Sequence, residues 1–443
     1  MKKNNSIVKG SVLLGAGAFI SKLLGALYRI PLTDFLGGKG LGLYQMIFPV
    51  YAVLLEFSGA GVPNALSKMI SGYENNAAAE YSLFYGAKKR LIILGVIGTL
   101  FMAVFSYPIA AAQGDYKAFI GYIALSPSVF LVAVLSCYRG YFQGKKNMAP
   151  TAVSQIIEQS VKLAAGLFFV WIFSFDVSFA VGGATLGVTL SELVAVVFMT
   201  VLLKRKTADF PLFFDAEFFK SQEKKLFKYT VLVTVIGIAI PLSQVIDSFL
   251  IINILSSYRE DATALYGLFS GAVNTIINLP VSVCYGVAAV AVPFVSGAKG
   301  KDKEKTALKT LVVTLTLAVP CALICYFFPS KIISFLFKRL SGEEFNVTVE
   351  MLKISSVCVA LLSLLQTENA VLIGKGKPQY SLIGMGAGII AKTAINATLL
   401  KNPDINVFAS VWAVIACYFF AVMINFIMIK LTREKDGNKE TEN

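Results

Sequence analysis

Four basic residues, Lys22, Arg29, Lys162 and Lys392, stand inside apolar stretches long enough to cross a membrane. Five acids share such stretches: Glu56, Glu158, Glu192, Asp247 and Glu368. An ionisable side chain at bilayer depth costs about 2.5–3.5 kcal/mol on insertion scales, so it faces a partner or a watery cavity. The chemistry suited to such groups is the binding and passage of a polar cargo, and fixed cations among them favour an anion. Lys22 and Arg29 are seven residues apart and share a helix face. Lys22 falls near mid-membrane, roughly 22 Å along the helix from Ile7 at about 1.5 Å per residue. Arg29 precedes Pro31 near the outer interface, where snorkelling to headgroups is the alternative.

Further along, Ser154, Gln155, Glu158, Gln159 and Lys162 form a polar stripe at helical spacing. Glu158 and Lys162 stand four apart, so mutual neutralisation is the alternative to a shared binding role. Lys392, with Thr393 and Asn396 nearby, has no acid within a turn and is expected to be the freer cation. Ser243, Gln244, Asp247 and Ser248 make a second wet face, where Asp247 is expected to pair with a lysine or to carry a coupling cation. Ser270, Asn274, Asn278 and Ser282 recur every four residues, a pattern that lines a cavity or glues helices together. The expected substrate-binding set is Lys22, Arg29, Glu56, Glu158, Lys162, Asp247, Asn274, Asn278, Glu368 and Lys392.

Catalysis finds little support. The chain has no histidine, which removes imidazole metal ligation and imidazole acid–base chemistry. There is no phosphate-binding loop of the form GxxxxGK[ST], no DxD motif and no sizeable outer domain. The six cysteines lie in apolar runs without ligand spacing and read as small buried hydrophobes. We therefore expect no catalytic residues, no metal site and no cofactor. A coupling ion, H⁺ or Na⁺, is left open, and proton coupling would have to use carboxylates.

These groups require helices that span a bilayer. Of the 443 residues 56% are hydrophobic and 15% charged, against about 25% charged in soluble domains. Runs of about 20 apolar residues give twelve spans, at 7–31, 42–68, 90–112, 118–139, 150–174, 178–203, 229–255, 263–296, 308–336, 351–373, 379–400 and 406–430. The first reads as an uncleaved span rather than a signal peptide. With alternating loops, 28 Lys and Arg fall on the side of both termini and 8 on the other. The positive-inside rule then puts both termini in the cytoplasm. It also accounts for the net charge of +14 without nucleic acid as a partner.

The chain divides into an N-terminal lobe (1–203), a cytoplasmic loop (204–228) and a C-terminal lobe (229–443) with a short cytoplasmic tail. The lobes resemble each other. Gly144-Lys145-Lys146 precedes span five as Gly374-Lys375-Gly376 precedes span eleven, and Lys162 and Lys392 share the same offset of 230 residues. Gly59, Gly61 and Pro63 interrupt span two and Pro280 interrupts span eight, as hinges or binding breaks would.

The run Ser21-Lys22-Leu23-Leu24-Gly25-Ala26-Leu27-Tyr28-Arg29-Ile30-Pro31-Leu32 is followed by Gly42-Leu43-Tyr44-Gln45. With Arg139–Gly144 and Pro150–Gln155, these residues resemble the polysaccharide-exporter branch of the MOP flippase superfamily. The stage V sporulation protein B group is the nearest match, and the lipid II flippases are more distant. The resemblance runs through all twelve spans. It implies an all-α polytopic membrane protein of the MOP/MATE kind, with two six-helix lobes around a central cavity. It further implies a bacterial cytoplasmic-membrane flippase that acts as a monomer. Such a protein moves an undecaprenyl-diphosphate-linked oligosaccharide or peptidoglycan precursor by alternating access, with membrane lipid and the anionic lipid-linked sugar as partners. Basic residues of the first span line the cavity in lipid II flippases, a pattern Lys22 and Arg29 match in kind. The alternative is a cation-coupled multidrug exporter of the same superfamily.

Overall fold

The computed structural model describes residues 2–73, 76–206, 214–298 and 300–439. Helix α1 (Lys2–Leu55) leads through a π-helical turn (Glu56–Ala60) into α2 (Val62–Ser71). Then come α3 (Ala77–Val104), α4 (Ser106–Ala112), α5 (Phe119–Gly144), α6 (Ala149–Ile172) and α7 (Val177–Lys206). The second half holds α8 (Ala216–Gly237), α9 (Ala239–Ser256) and α10 (Ala262–Gly267), a second π-helical turn (Leu268–Val273) and α11 (Asn274–Gly297). It ends with α12 (Gly300–Phe327), α13 (Pro329–Leu336), α14 (Gly342–Ser355), α15 (Val357–Gly374), α16 (Gln379–Leu399) and α17 (Phe408–Lys439). No strand occurs among the described residues.

Among the described residues, ten helices are long and apolar enough to cross a membrane, or eleven when α3 and α4, bent by 58°, count as one broken span. The first apolar run, Leu23–Ser71, has 49 residues. At about 1.5 Å per residue it is more than twice the roughly 30 Å of a bilayer core. It therefore holds two spans, divided at Gly37, and the total becomes the expected twelve. Gly37 has φ 62° and ψ −177°, a conformation open in practice only to glycine. Spans one and two thus meet at a single-residue kink, where the sequence suggested a loop.

Three other elements depart from expectation. The stretch before span seven, expected as loop, is helical from Ala216. Asp215 caps it by accepting from the Phe218 N–H at 2.9 Å, and Phe219 and Leu226 bury one face while Lys220, Lys224 and Lys225 stay exposed. Span nine ends at Phe327, because Pro329 starts the separate short helix α13. The irregular turn of span eight lies at 268–273, ahead of Pro280, which is an ordinary residue of α11. In span two the interruption falls at 56–60, as the glycines suggested.

The chain forms two compact units. Unit 1 comprises Met1–Leu36 and Leu43–Val245; unit 2 comprises Gly37–Gly42 and Ile246–Asn443. The core of unit 1 joins α2, α3, α5, α7 and α8 through Leu66, Leu83, Leu135, Phe142, Met199 and Phe219. Unit 2 takes in the glycine-rich segment 37–42 at very close range. A Cβ on Gly42 would lie 1.9 Å from the Thr263 carbonyl oxygen, and one on Gly267 would lie 2.3 Å from the Gly42 nitrogen. At the same end of unit 2, Arg259 forks onto Asp261 at 2.6 and 2.8 Å and reaches Glu343 at 3.1 Å. The hydrogen bonds from Arg259 hold the Asp261 carboxyl below its usual range.

The internal repeat is visible in backbone detail. Lys145, Lys146 and Asn147 donate their N–H groups to Tyr141, Gln143 and Phe142; Lys375, Gly376 and Lys377 donate to Val371, Ile373 and Leu372. Every donor and acceptor pair is offset by 230 residues. Lys146 (φ 56°) and Gly376 (φ 73°) share the left-handed conformation of that turn. The following helices, α6 and α16, begin at the same offset, so Lys162 and Lys392 each lie thirteen residues past a helix start.

The seating of segment 37–42 gives a first prediction. Gly42→Val would drive a side chain into the Thr263 backbone and should lower stability by about 1–3 kcal/mol, the range for overpacking. Thermal unfolding of the purified protein in detergent reads this, and an unchanged midpoint would refute the close seating.

Candidate functional site

In unit 1, the Lys162 ammonium lies over two aromatic faces, 5.3 Å from the Tyr28 ring centre and 5.7 Å from that of Phe48. Such placement stabilises a cation without a counter-charge, by about 0.5–2 kcal/mol per ring. No carboxylate among the described residues comes within 4 Å of its Nζ. Arg29, Glu158 and Glu192 are the charges close enough to act on it.

The expected Glu158–Lys162 pair does not form. Glu158 Oε2 instead accepts from Arg139 Nη2 at 2.8 Å, and its Oε1 accepts from Gln159 Nε2 at 3.2 Å. Arg139 also donates through Nε to Ser154 Oγ at 3.1 Å. A guanidinium fork arriving from α5 engages two neighbours of the α6 stripe at once, whereas the lysine is a single point charge. Arg139 is the last residue of the fourth expected span and is not in the expected site set. It was missed because the sequence does not say which way that end faces.

The second acid of this region is Glu192 on α7, 4% exposed. Its Oε1 accepts from the Tyr51 hydroxyl at 2.6 Å, and its Oε2 has no hydrogen-bond partner among the described residues. Tyr44, Phe48 and Tyr51 come from one helix face, spaced four and three residues apart. That aromatic stripe was a legible signal that sequence reasoning passed over. Arg29 is half-buried beside Tyr44. Glu56 is not among the charges acting on Lys162 and packs against Gly237 of α8, where a Cβ would lie 2.3 Å from its Oε2. Lys22 lies on α1, and its side chain falls outside the described residues.

In unit 2 the expectation for Lys392 reverses. Its Nζ lies 2.5 Å from Asp247 Oδ2, with side-chain exposures of 9% and 15%. Asn396, one turn further along α16, donates to Asp247 Oδ1 at 3.3 Å. The acid comes from α9, which a search within one turn of α16 could not find. Pairing of Asp247 with a lysine was one of its two expected roles. Glu368 on α15 is 1% exposed, and among the described residues its Oε2 has no hydrogen-bond partner and no base lies within ion-pair reach. Asn278 and Ser282 bond back to the carbonyls of Asn274 and Asn278, both at 2.7 Å. The asparagine ladder therefore spends these donors on its own helix, not on a neighbour.

The structure thus brings Arg29, Glu158 and Lys162 into one neighbourhood of unit 1, and Asp247 and Lys392 into one pair in unit 2. Glu56, Glu368, Asn274 and Asn278 stand outside these two groups. An ammonium at bilayer depth without a carboxylate partner attracts an anion far more strongly than it would in water.

Comparisons with known proteins bear on the family and the fold. A family model described as "Polysaccharide biosynthesis protein" matches residues 7–299, and one described as MatE matches residues 236–398. The chain is 25% identical to the lipid II flippase MurJ of Bacillus subtilis (strain 168), over 96% of this chain and 83% of that one. It is 27% identical to the stage V sporulation protein B of the same organism, over 68% and 60%. Among solved structures it is similar to the inward-facing conformation of a multidrug resistance MATE family transporter of the MOP superfamily. That similarity has a TM-score of 0.79 and 13% identity, and covers 97% of this chain and 99% of that one.

The Tyr51–Glu192 contact generates a second prediction. Tyr51→Phe deprives the buried Glu192 Oε1 of its hydroxyl donor and should destabilise the protein by about 1–3 kcal/mol. Adding Glu192→Leu, which removes the orphaned group, should restore part of that loss. Equal thermal midpoints for wild type and Tyr51→Phe would show that the hydroxyl contributes nothing.

Proposed function

We propose, from the premise that this chain belongs to the polysaccharide biosynthesis protein family and is a membrane transporter of the MOP superfamily, that its cargo is a sugar carried on a polyprenyl diphosphate. The protein flips this lipid across the bacterial cytoplasmic membrane by alternating access, as a monomer with both termini in the cytoplasm. The observation that supports this reading is the state of Lys162. Its ammonium is stabilised by aromatic faces and engages no carboxylate among the described residues. An oxyanion can therefore approach without first displacing an acid. Lys22 and Arg29 of the first span are assigned to the same anion, Lys22 on its sequence position alone.

Flipping of a fluorescent polyprenyl-diphosphate-linked sugar in reconstituted vesicles tests the proposal. Lys162→Gln should fold and lose about tenfold or more in rate, the worth of one charge-assisted contact. Lys162→Arg should keep part of the activity, because charge is retained while geometry changes. Normal flipping by Lys162→Gln would remove the support for this reading. Cysteines placed at 220 and 439 should react with an impermeant reagent only after permeabilisation, and outside labelling would overturn the orientation.

A second reading rests on Glu368, a buried carboxyl without a base in reach among the described residues. A carboxyl of this kind suits a cationic drug or a coupling proton better than an anion. Under that reading Glu368→Gln abolishes efflux of a cationic dye from the same vesicles, and Lys162→Gln does not.

A further inference from the structure

Lys162 and Lys392 occupy equivalent positions of the repeat, yet among the described residues an acid masks Lys392 and not Lys162. Lys392 is held by Asp247 at 2.5 Å, deep in unit 2. Among the described residues, the groups in electrostatic or hydrogen-bond reach of Asp247 include Lys392 and Asn396 from α16, Tyr266 from α10, and Cys417 and Tyr418 from α17. Lys392 is the one base among them. Removing one member of a buried ion pair leaves the other charge uncompensated in a poorly polarisable setting, which is strongly unfavourable. Lys392 therefore cannot turn towards another anion while Asp247 stays ionised, because no second cation among the described residues is in ion-pair reach of Asp247.

We propose that Asp247 and Lys392 form an exchange site at which an oxyanion of the phosphate class takes Lys392 from Asp247 while Asp247 takes up a proton. The nature of the anion rests on the function proposed above. The balance is simple. One O–H bond forms on the Asp247 carboxylate, its proton comes from solvent, and the ammonium keeps all its protons while its partner changes from carboxylate to phosphate oxygen. No covalent bond to carbon is made or broken. Asn396 is placed to serve both states: its amide donates to the carboxylate now and can hydrogen-bond a protonated carboxyl afterwards. The site adds one proton to the balance of each anion bound, which Lys162 on its aromatic faces does not require.

The experiment uses the full-length protein in detergent and farnesyl diphosphate as the probe. Titration calorimetry in two buffers of different ionisation enthalpy gives both the affinity and the protons taken up. Wild type should take up about one proton more per diphosphate than Asp247→Asn, and Asp247→Asn, which has no carboxylate to compete for Lys392, should bind about tenfold more tightly. Because the probe is the same, its own titration cancels in that difference. The double variant Asp247→Asn/Lys392→Gln removes both charges together and so leaves no orphaned ion if Asp247→Asn proves unstable. It should lose the extra proton and bind at least about tenfold more weakly than Asp247→Asn or, if that variant is unfolded, more weakly than wild type. Equal proton uptake and affinity in wild type and the folded variants overturn the exchange. Binding that depends on Lys162 but is indifferent to Asp247 and Lys392 overturns the exchange alone. Absence of binding in every folded protein overturns the exchange and the proposed function together.

Discussion

An ammonium held at bilayer depth has to be solvated by the protein, and the polar architecture of this chain follows from that requirement. An unanswered charge in the hydrocarbon would disfavour insertion. Unit 1 answers Lys162 with the faces of Tyr28 and Phe48, leaving the charge intact and the carboxylates engaged elsewhere. Unit 2 answers Lys392 with a carboxylate, which cancels the charge locally. The same residue type on the same scaffold is thus a standing positive charge in one unit and half of a dipole in the other.

That scaffold is set by backbone features rather than by the charges themselves. The turn before α6 and the turn before α16 repeat each other hydrogen bond for hydrogen bond, so each lysine is delivered at the same distance past its turn. Gly37 performs a different service. Its backbone conformation lets one long helix serve as two spans, and the glycines that follow it allow the chain to lie almost backbone to backbone on α10. A side chain at Gly42 or Gly267 would occupy the space of the neighbouring main chain, so this region can be built only from glycine.

Much of this was legible beforehand because it depends on local chemistry. Apolar length gave the spans, the 230-residue offset gave the repeat, and the cost of burying charge singled out Lys162, Asp247 and Lys392. The pairings were not legible. Glu158 lies one helical turn from Lys162, and proximity in sequence made that the natural pair. Arg139 is nineteen residues away along the chain and wins because α5 presents its guanidinium to the α6 stripe. Asp247 lies 145 residues from Lys392, and only the packing of α9 beside α16 brings them together. The helical start of α8 was hidden for another reason. Its lysines dominate the composition, while the two apolar residues that bury its face, Phe219 and Leu226, are too few to stand out.

The divergence of the two lysines can be traced to the helix face beside them. Ser154 and Glu158, which receive Arg139 in unit 1, correspond at the repeat offset to Gly384 and Gly388 in unit 2. Both glycines are closed against α17: a Cβ on Gly384 would lie 2.5 Å from Asn425 Oδ1, and one on Gly388 would lie 2.4 Å from the Cys417 carbonyl oxygen. The position of Arg139 corresponds to Asn369, whose amide oxygen accepts from Asn425 at 2.8 Å. In unit 2 the polar stripe has therefore been replaced by close helix packing, with an asparagine pair in place of a charged network. A carboxylate cannot occupy that face, so the acid that answers Lys392 has to come from the other side, and α9 supplies it. In unit 1 the stripe keeps its acid but assigns it to Arg139, which leaves Lys162 to the aromatic rings. Exchanging small residues for polar ones along one helix face is thus enough to decide whether an intramembrane lysine stands as a charge or is masked as a pair.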